Sequence, residues 1–164
     1  MKVKSILGAG LLTLLVAMPA ARAANYNFNF PLDGLQEVPP VATPSTGTGV
    51  VLYDDVTNTL QWNISYTPMI GTVTNAHFHG PAPVGVNAGV RIGLDFSTNP
   101  IVGSTVISEA FETELLAGLW YVNIHSTFRP GGEIRGQVVP EPASIALLGL
   151  LGAAVLRRRR AQVR

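Results

Sequence analysis

A strict two-residue alternation limits the fold of this chain more than any other feature. Leu60, Trp62, Ile64 and Tyr66 alternate with Gln61, Asn63, Ser65 and Thr67, and successive side chains of a β-strand point to opposite faces, so one face packs on a core. The same period returns in Gly89 to Phe96, where Val90, Ile92, Leu94 and Phe96 oppose Arg91, Gly93 and Asp95. Thr48 to Tyr53 and Thr59 to Thr67 are β-rich runs divided by the polar cluster Asp54 to Asn58, which predicts a hairpin. Leu119 to Ser126 and Glu133 to Val139 predict a second hairpin, with Pro130, Gly131 and Gly132 in its turn. Between them Thr113 is placed to cap one helical turn, Glu114 to Ala117, closed by Gly118. Short strands punctuated by turns predict an all-β domain, a sandwich or Greek-key barrel.

Charge marks the limits of that domain. Eight of the eleven Lys and Arg residues lie in the two ends of the chain, and residues 24–139 hold three arginines against nine carboxylates, a net of −6. Such a domain has no means of neutralising phosphates, which argues against nucleic-acid binding. Cysteine is absent, so disulfides, thiol nucleophiles and thiolate metal sites are excluded and packing must supply the stability.

Lys2 and Lys4 precede the apolar run Ile6 to Ala17, and Ala21-Arg22-Ala23 offers small residues at the −3 and −1 subsites of signal peptidase. Residues 1–23 are therefore expected to form a signal helix cleaved before Ala24, the alternative being a buried N-terminal helix. At the other end Pro140-Glu141-Pro142 is followed by the apolar stretch Ala143 to Leu156 and then by Arg157 to Arg160. That stretch makes about 21 Å of helix against a hydrocarbon core of about 30 Å, a short transmembrane span with its basic tip held cytoplasmic. Residues 140–164 closely resemble the PEP-CTERM sorting signal. The resemblance implies export across the inner membrane of a Gram-negative bacterium, processing near Pro140-Glu141-Pro142 by an exosortase, and a setting of exopolysaccharide or biofilm matrix. A retained single-pass membrane anchor is the alternative.

Strand phase also places the histidines. Ala76 and Phe78 share one face, which leaves Asn75, His77 and His79 on the other. Trp120, Val122 and Ile124 take the core phase, so Tyr121, Asn123 and His125 project oppositely, and Ile134, Gly136 and Val138 leave Glu133, Arg135 and Gln137 outside. A His-x-His pair joined by His125 across neighbouring strands would gather three imidazoles suited to one Cu or Zn ion. Glu133 would then orient an imidazole, with Arg135 beside it. Two alternatives stand: the imidazoles hydrogen-bond loop carbonyls or Glu133 instead, and Glu133 and Arg135 form weak ion pairs on a partly exposed strand, with Asp33 or Glu37 as partners. Gly80 to Asn87 forms a long loop beside His79, an ordinary connection or the mouth of a ligand site. No nucleophile elbow, phosphate-cradling loop or carboxylate dyad is present, so the chain does not read as an enzyme.

Leu35-Gln36-Glu37-Val38-Pro39-Pro40, Ala76-His77-Phe78-His79-Gly80-Pro81, Tyr121-Val122-Asn123-Ile124-His125-Ser126 and Gly132-Glu133-Ile134-Arg135-Gly136-Gln137 resemble the CHRD (chordin) domain family in order. The resemblance implies an immunoglobulin-like β-barrel; the function expected of the exported domain is that of a non-enzymatic module that binds an extracellular protein or polysaccharide. A more distant likeness is to copper-zinc superoxide dismutase, which also carries a His-x-His pair on a Greek-key barrel strand. With three histidines and no cysteine, one metal ion is the most this chain could hold in that manner.

Overall fold

The computed structural model of the chain describes residues 24–140. Ala21, Ala23, Glu141 and Pro142 lie outside the described residues, as do the expected signal and transmembrane helices. No helix among the described residues is long and apolar enough to cross a membrane.

Eight strands, β1 (Asn25–Asp33), β2 (Thr46–Asp54), β3 (Thr59–Tyr66), β4 (Val73–His79), β5 (Val90–Gly93), β6 (Ile101–Val106), β7 (Trp120–Ser126) and β8 (Ile134–Val138), form one antiparallel sheet. Its order is β5-β4-β7-β8-β1-β2-β3-β6. The chain therefore crosses the fold three times, from β3 to β4, from β5 to β6 and from β6 to β7, in the Greek-key manner. The sheet curls into a half-barrel, so that its two halves face each other across one core. Trp62 of β3 meets Phe78 of β4 edge-on at 5.6 Å, and Phe78 lies 5.8 Å from Trp120 of β7.

The alternating runs fold as their period demands. Leu60, Trp62 and Ile64 turn inward with Val51 and Tyr53 of the paired strand β2. β7 and β8 form the second hairpin, Trp120 opposite Val138 and Ile124 opposite Ile134. β1 and β6 extend the sheet beyond these expected strands, β1 pairing with β2 along its whole length and β6 with β3. In β1 the buried side chains are Phe28, Phe30 and Leu32, again at period two.

Two expectations need correction. The helix is α1 (Glu109–Leu116), and its cap is Ser108, whose hydroxyl accepts from the Phe111 N–H; Thr113 sits inside it and donates to the Glu109 carbonyl. The run Gly89 to Phe96 is a strand only to Gly93, because β5 is an edge strand; Val90 is exposed, while Leu94 turns in and its N–H reaches the Ala76 carbonyl at 2.9 Å.

β8 crosses β1 with very little space. The two strands pair only at Asp33 opposite Arg135, and past that point Gly136 faces β1. A Cβ on Gly136 would stand 2.5 Å from the Pro31 carbonyl oxygen and 2.8 Å from Leu32. Since that oxygen belongs to the backbone, a side chain could not be accommodated by a rotamer change. Gly136→Ala is expected to lose about 1–3 kcal/mol of stability, read as a lower urea midpoint. An unchanged midpoint would show that β1 and β8 can separate freely.

Candidate metal centre

β4 and β7 bring the three histidines together on the outer face of the sheet. His77 and His79 flank the inward Phe78, and His125 stands opposite Asn75, diagonal to His77. One ligand atom from each ring lies within 4.8 Å of the others. His77 Nδ1 is 3.2 Å from His125 Nε2, close to the roughly 3.3 Å between nitrogens that a tetrahedral ion bonded at about 2.0–2.1 Å requires.

Backbone carbonyls fix two of the tautomers. His79 Nδ1 is 3.0 Å from the Ala88 carbonyl oxygen and His125 Nδ1 is 2.9 Å from that of Pro130. A carbonyl only accepts, so each Nδ1 carries the proton and each Nε2 keeps a lone pair. His79 Nε2 is buried and has no partner. His125 Nε2 accepts from His77 Nδ1, so for an ion to take that place the His77 proton would have to move from Nδ1 to Nε2. Hydrogen bonding to loop carbonyls and ligand readiness are thus the same arrangement. Burial, then the neighbouring imidazoles, holds His77 below the usual histidine range; burial also lowers His79 despite its bonds to Ala88 and Gly89. Both rings are therefore neutral at neutral pH, the state a metal needs.

The polar face around the histidines is covered, contrary to the expected partly exposed strand. All five residues of β8 are buried, and Arg135 is 1% exposed. Its guanidinium lies 3.4 Å over the Tyr121 ring and donates to the Val86 carbonyl and to Asn87 Oδ1. Tyr121 in turn stacks parallel on His79 at 4.9 Å, and its hydroxyl accepts from the Ala88 N–H. Arg135 thus reaches the centre through an aromatic ring, and no carboxylate among the described residues forms an ion pair with it. Asp33 instead accepts from the Gln36 N–H and Nε2. The loop from Gly80 to Gly89 supplies Val86, Asn87 and Ala88 and is pinned by Gln137 Nε2, which donates to the Ala82 carbonyl.

Glu133 is fully buried, and the groups that hold it are hydroxyls and a backbone N–H rather than an imidazole. One oxygen accepts from Thr43, Ser45 and the Ile70 N–H, and the other from Ser126 in a very short bond. The imidazoles are oriented by Ala88 and Pro130, backbone groups that carry no signal in the sequence. Tyr121 and Asn123 were placed on this face by strand phase, but the part played by Glu37, which accepts from Asn123 Nδ2 at 3.3 Å, had no local signal.

An all-β module with a covered polar face and a histidine cluster is the class that fold and site define. Residues 28–138 match the CHRD domain model, and the chain belongs to the CHRD domain family. Residues 138–160 match the PEP-CTERM protein-sorting motif; the protein is exported, processed by an exosortase and sorted to the Gram-negative cell envelope. No curated protein and no solved structure matches the chain.

Glu133 makes a testable anchor. Burial pushes its carboxyl up, but the hydrogen bonds from Ser126, Ile70, Thr43 and Ser45 outweigh burial and hold it below its usual value of 4.5. Because the folded value is depressed, the stabilisation is present above the unfolded value and lost as pH falls below it. Glu133→Gln turns a donor toward other donors and is expected to cost about 3 kcal/mol at pH 7, with a smaller difference from the parent in acid. An equal loss at pH 7 and pH 3 would contradict an ionised Glu133.

Proposed function

We propose that this protein is an exported envelope or matrix module whose β domain holds one Cu or Zn ion through His77, His79 and His125. In this reading residues 1–23 are removed by signal peptidase before Ala24, residues 24–139 are the working domain, and residues 140–164 are the sorting tail, with Ala143 to Leu156 as its membrane segment. The observation that carries the proposal is the convergence of three ligand atoms within 4.8 Å on rings oriented by Ala88 and Pro130.

Three imidazoles are the donor set that Cu and Zn favour, and they leave a coordination position open. His77 and His125 are only partly buried, so that position is within reach of solvent and of an oxygen or nitrogen donor from a protein or polysaccharide. The role is non-enzymatic: the ion joins the module to a matrix component in a biofilm or exopolysaccharide setting, which the sorting motif supports. A redox role for a bound copper is the second reading, and the same open position favours it.

Among the described residues the core cluster runs from Phe28 to Val138, so residues 24–139 should fold alone and can be tested as such. One equivalent of Zn or Cu is expected per chain, falling to near zero in His77→Ala and His125→Ala with the β-rich circular dichroism retained. Free metal at one hundred times its Kd should add about 2.7 kcal/mol of stability. Near-zero metal in the parent domain would dispose of the proposal.

A further inference from the structure

Beside the histidines, the same outer face carries a second polar contact that its own atoms leave incomplete. Glu37 is 5% exposed and Asn123 4% exposed. Asn123 Nδ2 donates to Glu37 Oε2, yet Glu37 Oε1 and Asn123 Oδ1 are both buried without a partner. Both pack beneath Gly132, where a Cβ would stand 2.4 Å from Asn123 Oδ1 and 2.5 Å from Glu37 Oε1. Two acceptors confined to one small space cannot satisfy each other, and an unpaired buried acceptor is costly. Gly132 closes them off from larger ligands. A proton on the carboxyl resolves both at once.

We propose that Glu37 is held as a carboxylic acid that donates Oε1–H to Asn123 Oδ1, closing a cyclic acid–amide latch whose ionisation frees the turn that orients His125. The turn from Arg129 to Gly132, closed by the Gly132 N–H on the Arg129 carbonyl at 3.0 Å, carries Gly132 over the latch and the Pro130 carbonyl to His125. An ionised Glu37 would leave two oxygens repelling each other beneath Gly132. Glu37 and the turn together line a cleft of about 480 Å³ between Glu37–Val41 and Phe128–Gly132.

The charged and titratable groups around the carboxyl do not remove the need for this proton. From β8, the Arg135 guanidinium favours the ionised form, but it is already committed to Tyr121, Val86 and Asn87. From the turn, Arg129 lines the cleft with its guanidinium over Phe128. From β4, His77 pairs with Asn123 across the ladder, and from the end of β1, Asp33 bonds to Gln36. Burial outweighs Arg135 and Asn123 and pushes the Glu37 carboxyl up to about 7. A raised folded value means that the latch contributes fully below the ordinary carboxylate value and is lost as pH rises through about 7.

The consequence for the ion rests on the three-histidine reading; the latch itself does not. Carbon-13 carboxyl NMR of the metal-free domain 24–139 should show Glu37 titrating near pH 7, with the amides of Arg129 to Gly132 shifting at the same midpoint. A Glu37 midpoint below about 5, as for an ordinary carboxyl, would overturn the proposal without any variant. In Glu37→Gln the amide replaces the acid as donor, so the turn should lose its transition. Zn affinity should be equal at pH 6, where acid and amide both donate to Asn123, and about tenfold tighter in Glu37→Gln at pH 8, the scale of an outer-sphere effect. Equal affinity at pH 8 would overturn the coupling to His125. If the NMR transitions appear but no Zn binds at any pH, the latch is upheld and the histidine centre falls.

Discussion

A sheet whose polar face is buried must satisfy every polar group on that face, and β8 imposes this demand on the rest of the molecule. Its inner side chains, Ile134 and Val138, complete the core, while its outer ones, Arg135 and Gln137, are also closed off from water. Burying such groups unpaired would cost several kcal/mol each. Two segments therefore have to fold back over the strand, and they do so with backbone groups as well as side chains. The Gly80 to Gly89 loop brings the Val86 and Ala82 carbonyls to Arg135 and Gln137, and Gln36 accepts from the Gln137 N–H. The same folding back delivers the Ala88 carbonyl to His79. The orientation of the His79 ring is thus a by-product of covering β8.

Alternation in the sequence reveals the two sides of a strand but not what lies against each side. For that reason the two hairpins, the inward set Leu60, Trp62 and Ile64, and the gathering of His77, His79 and His125 on one face were all legible. The burial of Glu133 and Arg135 was not. Their side was read correctly; the cover came from loops more than forty residues away, such as Thr43 and Ser45 on Glu133 and Asn87 on Arg135. The Ser108 cap was obscured by Thr113, which also precedes a glutamate and two leucines. Tyr26, Phe28, Phe30 and Leu32 alternate as cleanly as β3, so β1 could have been read, whereas β6, with Gly103 and Ser104 within it, offered little pattern. The segments that carry the family resemblance hold both the covered face, with Glu37, His77, His79, Asn123 and Arg135, and core residues such as Phe78, Ile124 and Ile134.

Glu133 and Glu37 show how that face sorts its charges. Both are buried and both descend from the same acidic residue type, yet their carboxyls move in opposite directions. Donor supply makes the difference. Glu133 receives three hydroxyls and one backbone N–H across both oxygens, enough to stabilise an anion with no cation beside it. Glu37 receives one amide N–H on one oxygen, and Arg135 acts on it only at a distance. An ion is kept where four donors converge and given up where one does.

The same reasoning bears on why a cysteine-free exported domain would hold its metal here. With thiolates excluded, imidazole is the remaining ligand that both binds Cu or Zn well and stays neutral in the absence of metal. An empty cluster of carboxylates would repel itself, whereas three neutral imidazoles can share a proton, as His77 and His125 do at 3.2 Å. Stacking of His79 on Tyr121, with the Arg135 charge over that ring, further disfavours protonation of His79. The rings are consequently oriented before any ion arrives, so metal binding would not have to order them, and the coordination energy would not be consumed in building the site.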